Sequence, residues 1–155
     1  TISAYPMIKD PSKVSFSYRD NLFGGADLIA TGVASFGHIS GVHYQNNAEW
    51  AGYLGSLEDD DALPLWRGLK PTRHQLLIRE TILLMKRGYL DASYFRQKFG
   101  VNILDEWSEI WQRYQDDGML TIDGDRIQLT RKGLLHADGL LHAFFEPEYQ
   151  DVRYT

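Results

Sequence analysis

The chain contains no cysteine. Disulfides, thiolate zinc sites, cysteine-ligated iron–sulfur clusters and cysteine nucleophiles are therefore excluded within its 155 residues. No apolar run approaches the roughly 20 residues that cross a bilayer, so no membrane span is expected. No basic stretch followed by an apolar one opens the chain, so no signal peptide is expected either, and the reading is cytoplasmic. Positive charge is scarce in the first part. Up to Pro64 there are three bases (Lys9, Lys13, Arg19) against eight acids, and the remainder carries thirteen of each. Neither half has the basic balance of a nucleic-acid binder. Catalytic signatures are also missing. There is no Gly-x-Ser-x-Gly elbow, and Gly37-His38-Ile39-Ser40-Gly41 departs from it. No Gly-Lys-Ser/Thr follows Gly24-Gly25, so there is no phosphate loop. His38 and His43, and His136 and His142, lack the i, i+4 spacing of a helical zinc site; no metal ligand and no catalytic residue is assigned.

What remains is a globular composition, 43% hydrophobic and 24% charged, long enough for one domain or two small ones. Two periodicities divide it. The first half reads as strands and turns: a short apolar segment over residues 2–8, a period-two strand over 14–18, a loop over 20–25, a strand over 28–33 and a weaker one over 41–44. A helix is expected over 47–57, with Trp50, Tyr53, Leu54 and Leu57 on one face. These strands read as the end of a larger sheet. Glu58-Asp59-Asp60-Asp61 lacks the glycine-turn spacing of a calcium loop and reads as a solvated connector.

The second half is helical. Thr72 and Gln75 form a capping box before a helix that Gly88 can stop. Asp91 caps a second helix ending at Gly100, and Asn102 caps a third ending at Gly118. Asp123-Gly124 marks a hairpin between residues 119–122 and 127–129, and Thr130 caps a fourth helix through Phe145. Three helices, a hairpin and a closing helix make a winged-helix-like unit. Its third helix carries Asp105, Glu106, Glu109, Asp116 and Asp117 against Arg113 alone, a poor face for phosphate. Trp107, Trp111 and Tyr114 recur at helical spacing and read as core. The domains are residues 1–62 and 63–155, and the class is α+β.

One stretch, Asp27 to Asn46, has the makings of a ligand contact. An aliphatic run ends in Gly32-Val33-Ala34-Ser35-Phe36-Gly37, and small residues there let a ligand approach the backbone. A hairpin with glycines at its bend is the plainer reading of the same residues.

Three segments carry a family resemblance. They are Arg19-Asp20-Asn21-Leu22 with residues 28–46, then Leu65-Trp66-Arg67-Gly68 with residues 69–73, then Leu129-Thr130-Arg131-Lys132-Gly133-Leu134-Leu135. In that order the chain resembles the C-terminal portion of oxygen-independent coproporphyrinogen III oxidases and related radical S-adenosylmethionine proteins. The resemblance implies the terminal strands of an incomplete (β/α) barrel followed by a winged-helix-like helical domain. It implies an upstream barrel as partner, whose three cysteines hold a 4Fe-4S cluster that cleaves S-adenosylmethionine. It also implies a tetrapyrrole or other small-molecule substrate and oxidative decarboxylation of propionates. The segment alone would be inactive. Heme chaperones and radical methyltransferases share the family, and a non-catalytic winged-helix interaction or DNA-binding module is the reading from another class. Carried over by position, Gly32, Val33, Ala34 and Ser35 form a strand end leading to Phe36, which stands where the family places an aliphatic residue against S-adenosylmethionine. Ala30 stands where relatives often have glycine.

Overall fold

A computed structural model describes residues 9, 10, 12, 17–59 and 61–150. The expected segment over residues 2–8 and the first part of the expected strand over 14–18 lie outside these. The chain divides into two compact units, Ser17–Leu76 and Leu77–Thr155, the latter grouped with Thr1–Phe16.

In the first unit, α1 spans Ser17–Phe23, so Tyr18 is helical and most of the expected loop over 20–25 is helix. A hairpin follows: β1 (Phe36–Ile39) pairs antiparallel with β2 (Val42–Asn46). Ser40 and Gly41 form its bend with φ of 50° and 80°, the double positive φ of a type I′ turn. The hairpin thus lies later in the chain than expected, because the run over 28–33 is not a strand. Only Leu28 makes a bridge, to His38. α2 spans Trp50–Glu58 and buries no residue. β3 (Leu65–Leu69), not expected as a strand, pairs antiparallel with β2, giving the sheet order β1-β2-β3.

The second unit is built on caps. α3 (Arg73–Met85) opens with the full capping box: the Gln75 amide donates to Thr72 Oγ1 at 3.1 Å and the Thr72 amide to Gln75 Oε1 at 3.0 Å. A short strand, β4 (Tyr89–Asp91), leads into α4 (Ala92–Phe99), where Asp91 accepts from the Ser93 amide and Gly100 closes the helix at φ 68°. The third helix is broken at Trp107 into α5 (Ile103–Glu106) and α6 (Ser108–Asp116). β5 (Leu120–Asp123) and β6 (Arg126–Leu129) form the expected hairpin, and β4 joins it in the order β4-β6-β5. The expected closing helix is α7 (Arg131–Leu135), α8 (Ala137–Leu141) and a 3-10 turn, His142–Phe144. The whole is α+β, with two small antiparallel sheets and several helices.

The hydrophobic core lies in this second unit. Phe144 is 2% exposed and meets the rings of Trp107, Trp111 and Tyr114 at centroid distances of 5.2, 4.8 and 6.3 Å. Trp111 Nε1 donates to the Ile103 carbonyl at 2.6 Å and Tyr114 Oη to the Leu140 carbonyl at 2.7 Å, so both polar ends are satisfied. Trp111 and Tyr114 are core, as their spacing indicates, and Trp107 is half-buried against Phe144. Each such burial contributes about 1.5–3 kcal/mol.

Candidate functional site

The stretch 30–35 is held largely by side chains, with backbone bonds at Ala34 and Ser35. Gly32 has φ 99° and Ala34 has φ 59°, so the backbone turns where extended strand was expected. The Ala30 amide donates to Tyr44 Oη at 2.8 Å, and the Gly32 amide to Tyr53 Oη at 3.1 Å. Asn46 Nδ2 donates to the carbonyls of Ala30 (3.3 Å) and Gly32 (3.0 Å). Gln45 Nε2 donates to the Ala34 carbonyl at 3.1 Å, and the Ala34 amide reaches the Asn47 carbonyl at 2.9 Å. Ser35 Oγ donates to the Thr31 carbonyl at 2.8 Å. Gln45 and Asn46 are buried, at 7% and 3% exposure, because their amides occupy the inside of this turn. No role was assigned to Tyr44, Gln45, Asn46 or Tyr53 from sequence. The one signal for the first three is the run of hydrogen-bonding side chains Tyr44-Gln45-Asn46 that closes the strand.

The five expected contact residues therefore lie on one rigid turn that ends at the start of β1. Phe36 is 60% exposed there, its ring presented and not packed. Ser35 has spent its hydroxyl on Thr31, and the Gly32 and Ala34 carbonyls are occupied. The Val33 amide has no hydrogen-bond partner among the described residues. What the turn offers a ligand is the Phe36 ring and a fixed backbone edge.

Phe36 sits in a row. It pairs with Gln45 on β2, and Gln45 pairs with Arg67 on β3, so the three side chains share one face of the sheet. Arg67 Nε donates to Gln45 Oε1 at 2.8 Å, and its guanidinium lies 4.5 Å from the Trp66 ring centroid. The same face carries His38 and His43, directly opposite each other with ring centroids 4.8 Å apart. Among the described residues no group of three or more potential metal ligands occurs.

In the second unit, residues 75–136 match the family model described as the HemN C-terminal domain. Coproporphyrinogen III oxidase (HemN) from Escherichia coli, a radical SAM enzyme, is a similar solved structure. The likeness is 28% identity with a TM-score of 0.67 over 78% of this chain and 29% of that one. The chain thus spans under a third of that relative's length. No curated protein matches it.

Two features of the second unit, the Thr130–Gly133 run and a buried carboxylate, are structural. Thr130 Oγ1 accepts from the Gly133 amide at 3.1 Å and donates to the Gly118 carbonyl at 2.8 Å. Lys132 Nζ donates to the Asp117 carbonyl at 2.8 Å. The Thr-Arg-Lys-Gly run is a clasp that ties α7 to the end of α6, satisfying carbonyls left open at a helix terminus. The second feature is Glu80, 3% exposed, which accepts from Tyr94 Oη at 2.6 Å and Lys98 Nζ at 2.7 Å. Burial raises the Tyr94 pKa, and the hydrogen bond and charge of Glu80 raise it further, so Tyr94 stays protonated as the donor. Glu80 is a paired carboxylate joining α3 to α4.

Proposed function

We propose that this chain is the C-terminal segment of a radical S-adenosylmethionine enzyme of the coproporphyrinogen III oxidase type, with its first unit completing an upstream barrel and its second acting as a helical lid. The observation that carries this is the distribution of apolar surface. Apart from Pro64, every buried hydrophobic side chain among the described residues lies between Leu77 and Phe144. Ten of the twelve exposed large hydrophobics lie instead in the first unit, Phe36, Trp50, Leu65, Trp66 and Leu69 among them. Its buried side chains are Pro64 and three polar ones, His38, Gln45 and Asn46. A unit whose apolar side chains face outward is a surface awaiting a partner. The upstream barrel of the family is a partner of the right kind, and the likeness to the E. coli enzyme spans 78% of this chain.

The cofactors of such an enzyme divide by fit. With no cysteine, this chain supplies no ligand to a 4Fe-4S cluster, which falls to the barrel. S-adenosylmethionine fits the turn in one respect: an exposed aromatic ring on a rigid backbone can stack on the adenine or lie against the methionine chain. Gly32, Val33, Ala34 and Ser35 then act by shaping and holding the backbone beneath Phe36. The bound cofactor supplies the radical chemistry. The substrate in this reading is a tetrapyrrole with propionate side chains.

Phe36→Ala in the full-length protein tests the reading. At 60% exposure the ring contributes little to stability, so the melting temperature should hold within about 2 °C. Affinity for S-adenosylmethionine, by equilibrium dialysis, should fall about tenfold. Unchanged affinity with a large drop in melting temperature would mean that Phe36 is packing alone.

A further inference from the structure

The row Phe36–Gln45–Arg67 ends in a guanidinium that is fixed in place yet unused. Its Nε is committed to Gln45 Oε1 at 2.8 Å, and its flat face rests on Trp66. Gln45 is itself locked, because its other amide atom donates to the Ala34 carbonyl at 3.1 Å. Nε as donor and Nε2 as donor together leave one orientation for the Gln45 amide. The two Nη nitrogens meet no acceptor and no carboxylate among the described residues. This is notable in a unit whose described residues include Asp20, Asp27, Glu49, Glu58, Asp59 and Asp61. An exposed arginine usually swings among rotamers, at an entropic cost when a ligand arrests it. Here Gln45 and Trp66 have already arrested it, which lowers the cost of forming two parallel N–H···O bonds.

We propose that Arg67 binds a carboxylate of a ligand seated on the β1-β2-β3 face beside Phe36, so that this face recognises an aromatic or aliphatic body at one end and an acid at the other. The inference rests on the reading of Phe36 given above. Two strand spacings separate the ends, about 10 Å, a distance that a tetrapyrrole bearing propionates spans. The other carboxylate in reach of such a site is that of S-adenosylmethionine. The chemistry is shared: a carboxylate taken by a guanidinium fork, with Gln45 as the residue that aims it.

The test uses the full-length protein with Arg67→Ala, and with Arg67→Gln read by the same criteria should the alanine variant lose its circular dichroism. The probes are coproporphyrin, its tetramethyl ester in matched detergent, and S-adenosylmethionine. Loss of the fork should weaken coproporphyrin about 10- to 100-fold and leave the ester unmoved. Arg67→Lys, a point charge without the fork, should fall between. That pattern supports the inference with the tetrapyrrole as the acid. A comparable loss for S-adenosylmethionine with coproporphyrin unmoved supports it with the cofactor as the acid. Equal losses for acid and ester, or no loss for any probe, overturn it. Phe36→Ala, run in parallel, separates the two claims. If it weakens cofactor binding while Arg67→Ala does nothing, only the present inference fails. If Arg67→Ala acts on the acid alone while Phe36→Ala leaves cofactor binding intact, the reading of Phe36 fails instead.

Discussion

The ring of Tyr44 lies across Gly37, so that a Cβ on residue 37 would stand 2.1 Å from Tyr44 Cζ. The two are cross-strand partners in register, and the missing side chain is what lets the ring cross β1 and accept a hydrogen bond from the Ala30 amide at 2.8 Å. Gly37→Ala should therefore act through Tyr44. The ring must move, and the Ala30 amide loses its partner. We expect a loss of about 1–3 kcal/mol, against about 1 kcal/mol for Tyr44→Phe, which removes the hydroxyl alone. In a double-mutant cycle, adding Tyr44→Ala should make Gly37→Ala nearly silent. Additive losses from the two changes would show that the glycine serves something other than the ring.

Gly133 presents the same problem against backbone. A Cβ there would meet the Met119 carbonyl oxygen at 1.9 Å, and a main-chain oxygen cannot rotate away as a side chain can. Met119 is also where Thr130 docks, its amide donating to that same carbonyl at 2.9 Å. Gly133→Ala should cost about 3 kcal/mol in chemical denaturation, at the upper end of overpacking effects, while Thr130→Ala should cost about 1 kcal/mol. A Gly133→Ala protein as stable as the parent would mean that α7 can shift from β5 freely.

Asp91 supplies a pH dependence. Its carboxyl is held below the usual aspartate range, first by the Ser93 hydroxyl and then by the Ser93 amide and the charges of Arg126 and Arg96, with burial opposing. A folded-state value below the unfolded one means that the cap stabilises fully above the unfolded value and fades as pH falls through the folded one. The cap should contribute about 1 kcal/mol at neutral pH and weaken as the pH falls below the usual aspartate range. Asp91→Asn keeps an oxygen for the Ser93 amide. The stability difference between parent and variant should thus shrink toward zero on acidification, and a difference constant from pH 7 to pH 3 would remove Asp91 from this account.

How far the chain could be read without coordinates depended on the range of each interaction. Thr72 with Gln75, Asp91 with Ser93, Asn102 with Leu104 and Thr130 with Gly133 all close within three residues, so the helix starts are plain in the sequence. The segment 28–33 has strand composition, yet the backbone groups of Ala30 and Gly32 are satisfied by Tyr44, Asn46 and Tyr53, 14 to 21 residues away. No local pattern could announce that. β3 and β4 are short and owe their existence to partners far along the chain. The small residues 32–35 read as a strand end, whereas they form a turn that closes at Phe36. Arg67 carried no local sign of its place, because its row is assembled by register across three strands.

The second unit's order of helices, hairpin and extra strand is also that of winged-helix DNA readers, which makes charge the deciding property. Asp105, Glu106, Glu109, Asp116 and Asp117 are all exposed on α5, α6 and the turn after it. The one base among them, Arg113, has its guanidinium 5.2 Å from the Tyr114 ring centroid. At the β5–β6 tip, Asp123 is exposed and Asp125 is paired with Arg96. Nearby, Lys132 is bound to the Asp117 carbonyl. Affinity for duplex DNA comes from several free cations meeting phosphates, and each acid on the same face subtracts from it. We expect no mobility shift with duplex DNA at micromolar protein and low salt. A salt-sensitive complex that Arg113→Ala weakens would overturn the lid reading and make this unit a DNA-binding module.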